Sequence, residues 1–381
     1  MHAIEKLLAA KSQREEVHAG EIVNCDIDYV GINDLYYQTV MSFYEMGGKQ
    51  VVHPERVILF FDHYAPCATE KQADNHKRFR AFAKEQGITH VMDIDKGVCH
   101  QRMADYGFSK PGEIVVITDS HTTTHGAFGA FGTGVGATDL AVIMATGYLW
   151  FMVPKVIRIN LTGKLPVGVY AKDDILYVIG SVKADFGVYK AVEFTGPVVK
   201  ELSISERMAL CNMSTEMGCK AAYIQPDEVT FAYLKEHGIT DYTVYETDPD
   251  YIYDADLTYD VKQLTPQVAV PFSVDNVFPI VNEEGIPVIQ AYLGSCTGGR
   301  TPDFAIAAKI LIGKNIAEGT RMMLVPASKK VLEECMDKGY IKTLLEAGAT
   351  LTAPGCAACL GIHQGLLAEG EACISSTNRN F

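Results

Sequence analysis

Short β-rich runs alternate with helical stretches almost from end to end of this chain. That alternation constrains the fold more than any other feature, because strands separated by helices pair in parallel and bury both faces of a sheet. The clear strands are Val57–Phe61, His90–Ile94, Glu113–Thr118, Lys155–Leu161, Val288–Leu293, Arg321–Val325, Ala349–Thr352 and Glu371–Ser375. Helix starts carry their own signals. Ser203-Ile-Ser-Glu206 fits a capping box opening a helix that runs to about Gly218. Thr301-Pro302-Asp303 reads as an N-cap, a proline at the first helical position and an early acid, with the helix at Phe304–Gly313. Asp241–Tyr259, rich in Asp and Tyr, reads as a surface region, and Pro266–Pro271 lies near a boundary before the last domain. The fold class is α/β.

Composition removes whole classes of function. With 381 residues, 48% hydrophobic and 21% charged, the chain buries a large core and is neither disordered nor a disulfide scaffold. A net charge of −14 disfavours nucleic acid and anionic membranes as partners. The start, with Glu5, Glu15 and Glu16, resembles neither a secretory nor a transit signal, which points to a cytoplasmic protein. The longest apolar stretch, Leu140 to Val153, is shorter than the roughly 18–20 residues of a membrane span and reads as a buried helix leading to a strand. Ten cysteines without a secretory signal make reduced thiols the expectation, some of them available to a metal.

Polar chemistry collects just beyond the strands. Asp62-His63, Gly97-Val-Cys99-His100-Gln101, Asp119-Ser120-His121, Gly294-Ser-Cys296-Thr, Gly355-Cys356-Ala-Ala-Cys359 and Thr377-Asn378-Arg379-Asn380 each follow an apolar run. Ligands of open α/β sheets bind at the carboxyl ends of strands, so six such ends point to one composite site. Cys356-x-x-Cys359 serves zinc, an iron–sulfur cluster or a redox disulfide equally well. Cys296 precedes a helix, where a thiolate is favoured. Three cysteines without a fourth leave one iron of a cluster open to act as a Lewis acid, while three buried structural cysteines are the plain alternative. In Asp62-His63 and Asp119-Ser120-His121 a carboxylate stands beside an imidazole that it can orient and keep protonated as a general acid. Ser120 is placed to contact a substrate carboxylate, and His125 reads as a capping or core histidine. Asn212 and Glu216, at i and i+4 on an otherwise apolar helix, are either core polar residues or site lining. Gly132-Thr-Gly134-Val-Gly136 reads as a glycine-rich loop before a helix starting near Asp139, without dinucleotide spacing; P-loop and Gly-x-Ser-x-Gly motifs are absent.

Taken together, Asp119-Ser-His-Thr-Thr-Thr-His125-Gly-Ala-Phe-Gly, Gly294-Ser-Cys-Thr, Pro354-Gly-Cys-x-x-Cys and Ser376-Thr-Asn-Arg-Asn-Phe381 resemble the aconitase superfamily over essentially the whole chain. The resemblance is greatest to its 3-isopropylmalate dehydratase large-subunit branch. It implies three related α/β/α domains around a [4Fe–4S] cluster, divided at 1–157, 158–275 and 276–381. Cys296, Cys356 and Cys359 would hold the cluster, and one iron without a cysteine ligand would bind the hydroxyl and carboxylate of a hydroxy acid. Asp62 and His63 match the pair that handles the leaving hydroxyl's proton, and His100 a histidine near the bound water. Asp119 and His121 match the pair that orients that water. Ser120 matches a substrate carboxylate contact and Arg379 an arginine of the active-site network. Asn212 and Asn378 match residues beside the cluster, and Glu216 an acid of the site.

The resemblance also implies a partner. Single-chain relatives carry a swivelling domain with a serine base and carboxylate-binding arginines, whereas in isopropylmalate dehydratase it is a separate small subunit. A heteromeric enzyme is therefore expected, inactive without that subunit. The implied substrate is 3-isopropylmalate of leucine biosynthesis, with homoaconitate and 2,3-dimethylmalate as rivals. A regulatory RNA-binding relative and a cluster-free or zinc-binding relative are the competing classes. Three departures stand out. Gly298 occupies the place of a usual asparagine, Cys67 lies where many relatives have Pro-Thr, and the sequence ends at Phe381 before the second arginine of a Phe-x-Gly-Arg run.

Overall fold

A computed structural model describes residues 1–380. Thirteen strands form three parallel sheets. The first sheet contains β1 (Tyr29–Asn33), β2 (Val57–Phe60), β3 (His90–Met92), β4 (Ile114–Ile117) and β5 (Phe131–Gly134). The second contains β6 (Val156–Thr162), β7 (Ala191–Thr195), β8 (Ala221–Tyr223) and β9 (Ala255–Asp260). The third contains β10 (Gln290–Gly294), β11 (Arg321–Val325), β12 (Thr350–Leu351) and β13 (Cys373–Ser375). Their orders are β3-β2-β1-β4-β5, β8-β7-β6-β9 and β12-β11-β10-β13. Counted within its own sheet, each reads third, second, first, fourth. Every pair in these sheets is parallel. This is one doubly wound plan used three times, with the chain reversing direction across the sheet between its first and fourth strands.

The local chemistry explains the elements. Thr69 and Gln72 close a capping box on helix Glu70–Gln86, which ends on left-handed Gly87. Ser203 and Glu206 cap helix Ile204–Met213, but the chain then tightens into a 3₁₀ turn, Ser214–Met217. Two expectations are corrected at helix starts and loops. The cap before helix Thr301–Leu311 is Arg300, whose backbone N–H donates to Asp303, so Thr301 already lies in the helix. The glycine run 132–136 is not a loop throughout, because its first half is β5. Glycine is required there by close approach: a Cβ at Gly132 would sit 2.3 Å from the Thr122 carbonyl oxygen, and one at Gly134 2.5 Å from that of Asp119.

The acidic stretch before residue 260 likewise contains an edge strand, β9, with alternate residues more exposed. One of its acids is neutralised from the neighbouring strand, where the Arg158 guanidinium grips Asp256 with two nitrogens. The apolar cores are continuous across the sheets. One cluster runs from Ala3 to Val156 and takes in Ala191, Ala221 and Tyr223 of the second sheet. Another joins Ile58, Phe60 and Ile117 of the first sheet to Cys296 and Ala327 of the third. Buried side chains of this size each contribute roughly 1.5–3 kcal/mol.

Candidate active site

The site is built where these sheets meet. Strand β2 is fully buried and delivers Asp62 and His63 into the interior. Asp62 Oδ1 lies 2.8 Å from His63 Nδ1, while its Oδ2 accepts the backbone N–H of Cys99 at 2.8 Å. Its carbonyl accepts the N–H of Cys356 at 2.9 Å, which ties the first sheet to the cysteine turn of the third. That contact needs Gly355, since a Cβ there would lie 2.6 Å from the same oxygen. His63 Nε2 faces Asp119 Oδ2 at 3.8 Å. Burial alone would lower the pKa of His63. The charge and hydrogen bond of Asp62, joined by Asp34 and Asp119, outweigh it and raise the imidazole from 6.5 to about 9. His63 is therefore a buried imidazolium at neutral pH.

Asp119, after β4, is the hub. Its Oδ1 lies 3.1 Å from His100 Nε2 and accepts the backbone N–H of His121 at 2.8 Å. Burial opposes ionisation, yet His100 and His121 hold this carboxyl well below the usual range. His121 Nε2 in turn lies 2.7 Å from Glu216 Oε1, and Asp119 and Glu216 raise the His121 pKa against the cost of burial. Arg379 Nη2 donates to Ser120 Oγ at 2.7 Å, and its Nε lies 3.6 Å from Glu216. His125 is buried 2.7 Å from Ser109 Oγ, and burial drives its pKa far down, so it stays neutral.

Asn212 and Glu216 do not share a helix face, because the turn tightens at Ser214. Glu216 goes to His121, whereas Asn212 Nδ2 donates to Thr124 Oγ1 at 2.8 Å and to Cys296 Sγ at 3.2 Å. Asn378 Nδ2 donates to Asn212 Oδ1 at 2.8 Å and to the same Cys296 sulfur at 3.3 Å. Cys296 lies in a one-turn helix opened by Ser295 at φ 70°. Ser295 Oγ is 3.9 Å from Cys296 Sγ and 3.7 Å from Cys356 Sγ, so it stands between the two cysteine turns. The sulfurs of Cys356 and Cys359 lie side by side in one turn, with their Cα atoms 5.5 Å apart. Their sulfurs and His63 lie within 4.8 Å of one another.

Several residues here were not singled out in the sequence. Asp34, after β1, lies 3.7 Å from His63 Nδ1 and accepts the backbone N–H groups of His63 and Tyr64. Arg300 Nε donates to Gln101 and Nη1 to the Ser205 carbonyl, joining helices that accompany each of the three sheets. Lys172 Nζ donates to Thr297 Oγ1 at 3.1 Å, to the Thr377 carbonyl at 2.8 Å and to the Ser376 carbonyl, thereby fixing the turns that carry Cys296 and Asn378. The place beside Gly298 is taken by Ser376. A Cβ on Gly298 would meet Ser376 Cβ and Oγ at 2.4 Å, and Ser376 Oγ donates to the Gly298 carbonyl at 3.1 Å.

Three repeated α/β sheets converging on a dense network of carboxylates, imidazoles and three cysteines define a buried acid–base site beside a cysteine-rich centre. A sequence model of the aconitase family (aconitate hydratase) matches residues 5–381, and the chain belongs to this family. It is 46% identical to 3-isopropylmalate dehydratase large subunit 1 of Methanopyrus kandleri, over 99% of this chain and 90% of that protein. It is 42% identical to a probable methanogen homoaconitase large subunit of Methanothermobacter thermautotrophicus, over 100% and 90%. It is 41% identical to the 2,3-dimethylmalate dehydratase large subunit of Eubacterium barkeri, over 100% and 91%. The crystal structure of aconitase X from Thermococcus kodakaraensis aligns over 99% of this chain and 90% of that one, with a TM-score of 0.55 at 12% identity, a likeness of fold. No helix among the described residues is long and apolar enough to cross a membrane.

Membership of this family implies an iron–sulfur cluster. The donor set fits one. Three cysteines come from turns held against each other, and two amide groups aim their N–H at one of the sulfurs, as suits a thiolate.

Proposed function

We propose that this chain is the large subunit of a cytoplasmic hydro-lyase that reversibly removes and adds water across a carbon–carbon bond of a hydroxy di- or tricarboxylic acid. Our first substrate is 3-isopropylmalate, interconverted with 2-isopropylmalate in leucine biosynthesis; homoaconitate and 2,3-dimethylmalate are the rivals. Cys296, Cys356 and Cys359 would hold a [4Fe–4S] cluster with one iron free of cysteine. When bound, it supplies a Lewis acid for the substrate oxygens. Its three carrying domains are 1–157, 158–275 and 276–381.

The observation that carries this reading is that His63, facing Asp119, lies beside Cys356 and Cys359 while Asn212 and Asn378 both donate to Cys296. His63, kept protonated by Asp62, holds at Nε2 the proton that a leaving hydroxyl needs. Asp119 keeps His100 and His121 facing the same point and, with Glu216, orients water there. Arg379 and Ser120 present a paired donor to a carboxylate. The proton abstracted from carbon requires a base from elsewhere, which we assign to a small swivel-domain subunit that also carries carboxylate-binding residues. The words "large subunit" in the relatives' names support that partner.

The test is to purify the chain without oxygen, reconstitute it with iron and sulfide, and record EPR after mild oxidation. A three-iron signal that vanishes on adding iron(II), and is missing from Cys296→Ser, is expected. Zinc or no metal in the reconstituted protein would overturn the reading in favour of a cluster-free relative. Turnover of 3-isopropylmalate should then appear only on adding the small subunit; equal turnover without it would remove the heteromer.

A further inference from the structure

Cys67, the unusual cysteine after the Asp62-His63 pair, does not stand alone. Its Sγ lies 3.2 Å from His76 Nδ1, and His76 Nε2 lies 3.0 Å from Asp34 Oδ2. Asp34 is buried and fixed by the backbone N–H groups of His63 and Tyr64, at 3.1 and 2.9 Å. The His76 ring is also buried and stacks on Phe61 with centroids 4.4 Å apart, so it cannot turn away. Thiol, imidazole and carboxylate thus form an ordered relay of the kind that activates a nucleophile. Cys67 is partly exposed and lines a cavity of about 430 Å³ together with Pro66, Ala68, Ile362, His363 and Leu366. On that wall His363 is only 5% exposed, and its Nε2 has no hydrogen-bond partner among the described residues. A nucleophile, its base, a cavity and an unpartnered polar group therefore meet at one place that the proposed reaction does not use.

We propose that Cys67, His76 and Asp34 form a nucleophilic thiol site that accepts a small organic disulfide as a mixed disulfide. The cavity offers far more room than a peroxide needs, and its largely apolar wall with a single buried imidazole suits an organic substituent with one polar group. Burial, followed by the charge of Asp34, pushes the Cys67 thiol upward, so it reacts as His76 withdraws the proton rather than as a standing thiolate. In the exchange, Cys67 Sγ attacks one sulfur of R–S–S–R. A Cys67–S–S–R bond forms and the original S–S bond breaks. The departing thiolate takes the proton that His76 removed, leaving R–SH and a neutral imidazole. The reverse exchange with a thiol restores Cys67. The group R would rest against residues 362–366, the segment that follows the Cys359 turn directly. This inference stands on its own geometry and does not depend on the hydro-lyase reading.

The experiment treats the intact chain with 2-hydroxyethyl disulfide under argon and follows each cysteine by peptide mass mapping. Cys373, the other partly exposed free thiol, is the internal reference. Cys67 should be modified at least tenfold faster than Cys373. His76→Gln should slow Cys67 at least tenfold and leave Cys373 unchanged. Equal rates at the two cysteines, or a Cys67 rate indifferent to His76→Gln, would overturn the proposal. If His76→Gln loosens the fold, the buried Cys25 and Cys211 become labelled, and Leu366→Trp then decides the matter. Filling the cavity should slow disulfide exchange at Cys67 at least fivefold while alkylation by the smaller iodoacetamide changes less than twofold; unaltered exchange would refute the site.

Discussion

The first and third sheets put their chemistry at strand ends, whereas the second, with the same strand order, does not. Asp62, His63 and Asp119 follow β2 and β4, and Cys296, Cys356 and Asn378 follow β10, β12 and β13. The crevice between the first and fourth strands of the second sheet is closed instead. Val261 N–H donates to the Thr162 carbonyl at 3.0 Å, and a Cβ on Gly163 would lie 2.5 Å from Asp260 Oδ1. The second sheet reaches the site sideways, through Asn212 and Glu216 between β7 and β8 and through Lys172 after β6. Doubly wound topology supplies a place for a ligand; residues decide whether it is used.

The comparison is broken most severely at Asp119, the strand-end residue on which three imidazoles depend. Asp119→Asn should lower kcat of the assembled enzyme roughly 10³-fold, within the range for losing positioned acid–base groups. Loss of less than tenfold would show that the strand ends are scaffold and that the second sheet's Glu216 carries the work. The next effect is one of stability. The folded pKa of His63, about 9, exceeds its unfolded value of 6.5, so its contribution is complete below pH 6.5 and is lost as pH rises through 9. Urea unfolding of the large subunit should therefore show stability falling by up to about 3 kcal/mol across that window. Asp62→Asn should flatten the dependence; an unchanged slope would place its source elsewhere.

Lys172 tests the sideways contribution. Lys172→Met leaves the Ser376 and Thr377 carbonyls without their donor, at a cost of about 2 kcal/mol. It should also raise the thiol reactivity of Cys296 in the unreconstituted protein, because Asn378 loses its anchor. Retention of wild-type stability and of Cys296 protection would make Lys172 a bystander, and the second sheet's role would shrink to its helix.

What could be read from the sequence follows the same division. Asp62, His63, His100 and Asp119 were legible because polar clusters directly after apolar runs announce strand ends. The capping box of Ser203 was equally plain. Asp34 was hidden because β1 itself was hidden: its run Tyr-Val-Gly-Ile-Asn contains Gly31, a poor strand former. That glycine is there for packing, since a Cβ would lie 2.9 Å from Ile117. Strand β9 was masked by its acids, one of which, Asp256, has its partner Arg158 about a hundred residues earlier on β6. Lys172 gave no local signal at all, because its partners are more than a hundred residues distant.

The finest break in the comparison uses two glycines. Gly163, at φ 94°, packs against Asp260 in the closed crevice, while Gly298 packs against Ser376 beside Cys296. Alanine at either position should cost about 1–2 kcal/mol of stability, from backbone strain at the first and overpacking at both. Only Gly298→Ala should weaken cluster retention, read as iron released to a chelator, because Ser376 also holds the Gly294 N–H at the start of the cysteine turn. Adding Ser376→Gly should restore part of the lost stability in Gly298→Ala and none of it in Gly163→Ala. Restoration in both would mean that the space beside Gly298 is not set by Ser376, and restoration in neither that the Ser376 carbonyl oxygen, 2.5 Å from that Cβ, sets it rather than the side chain.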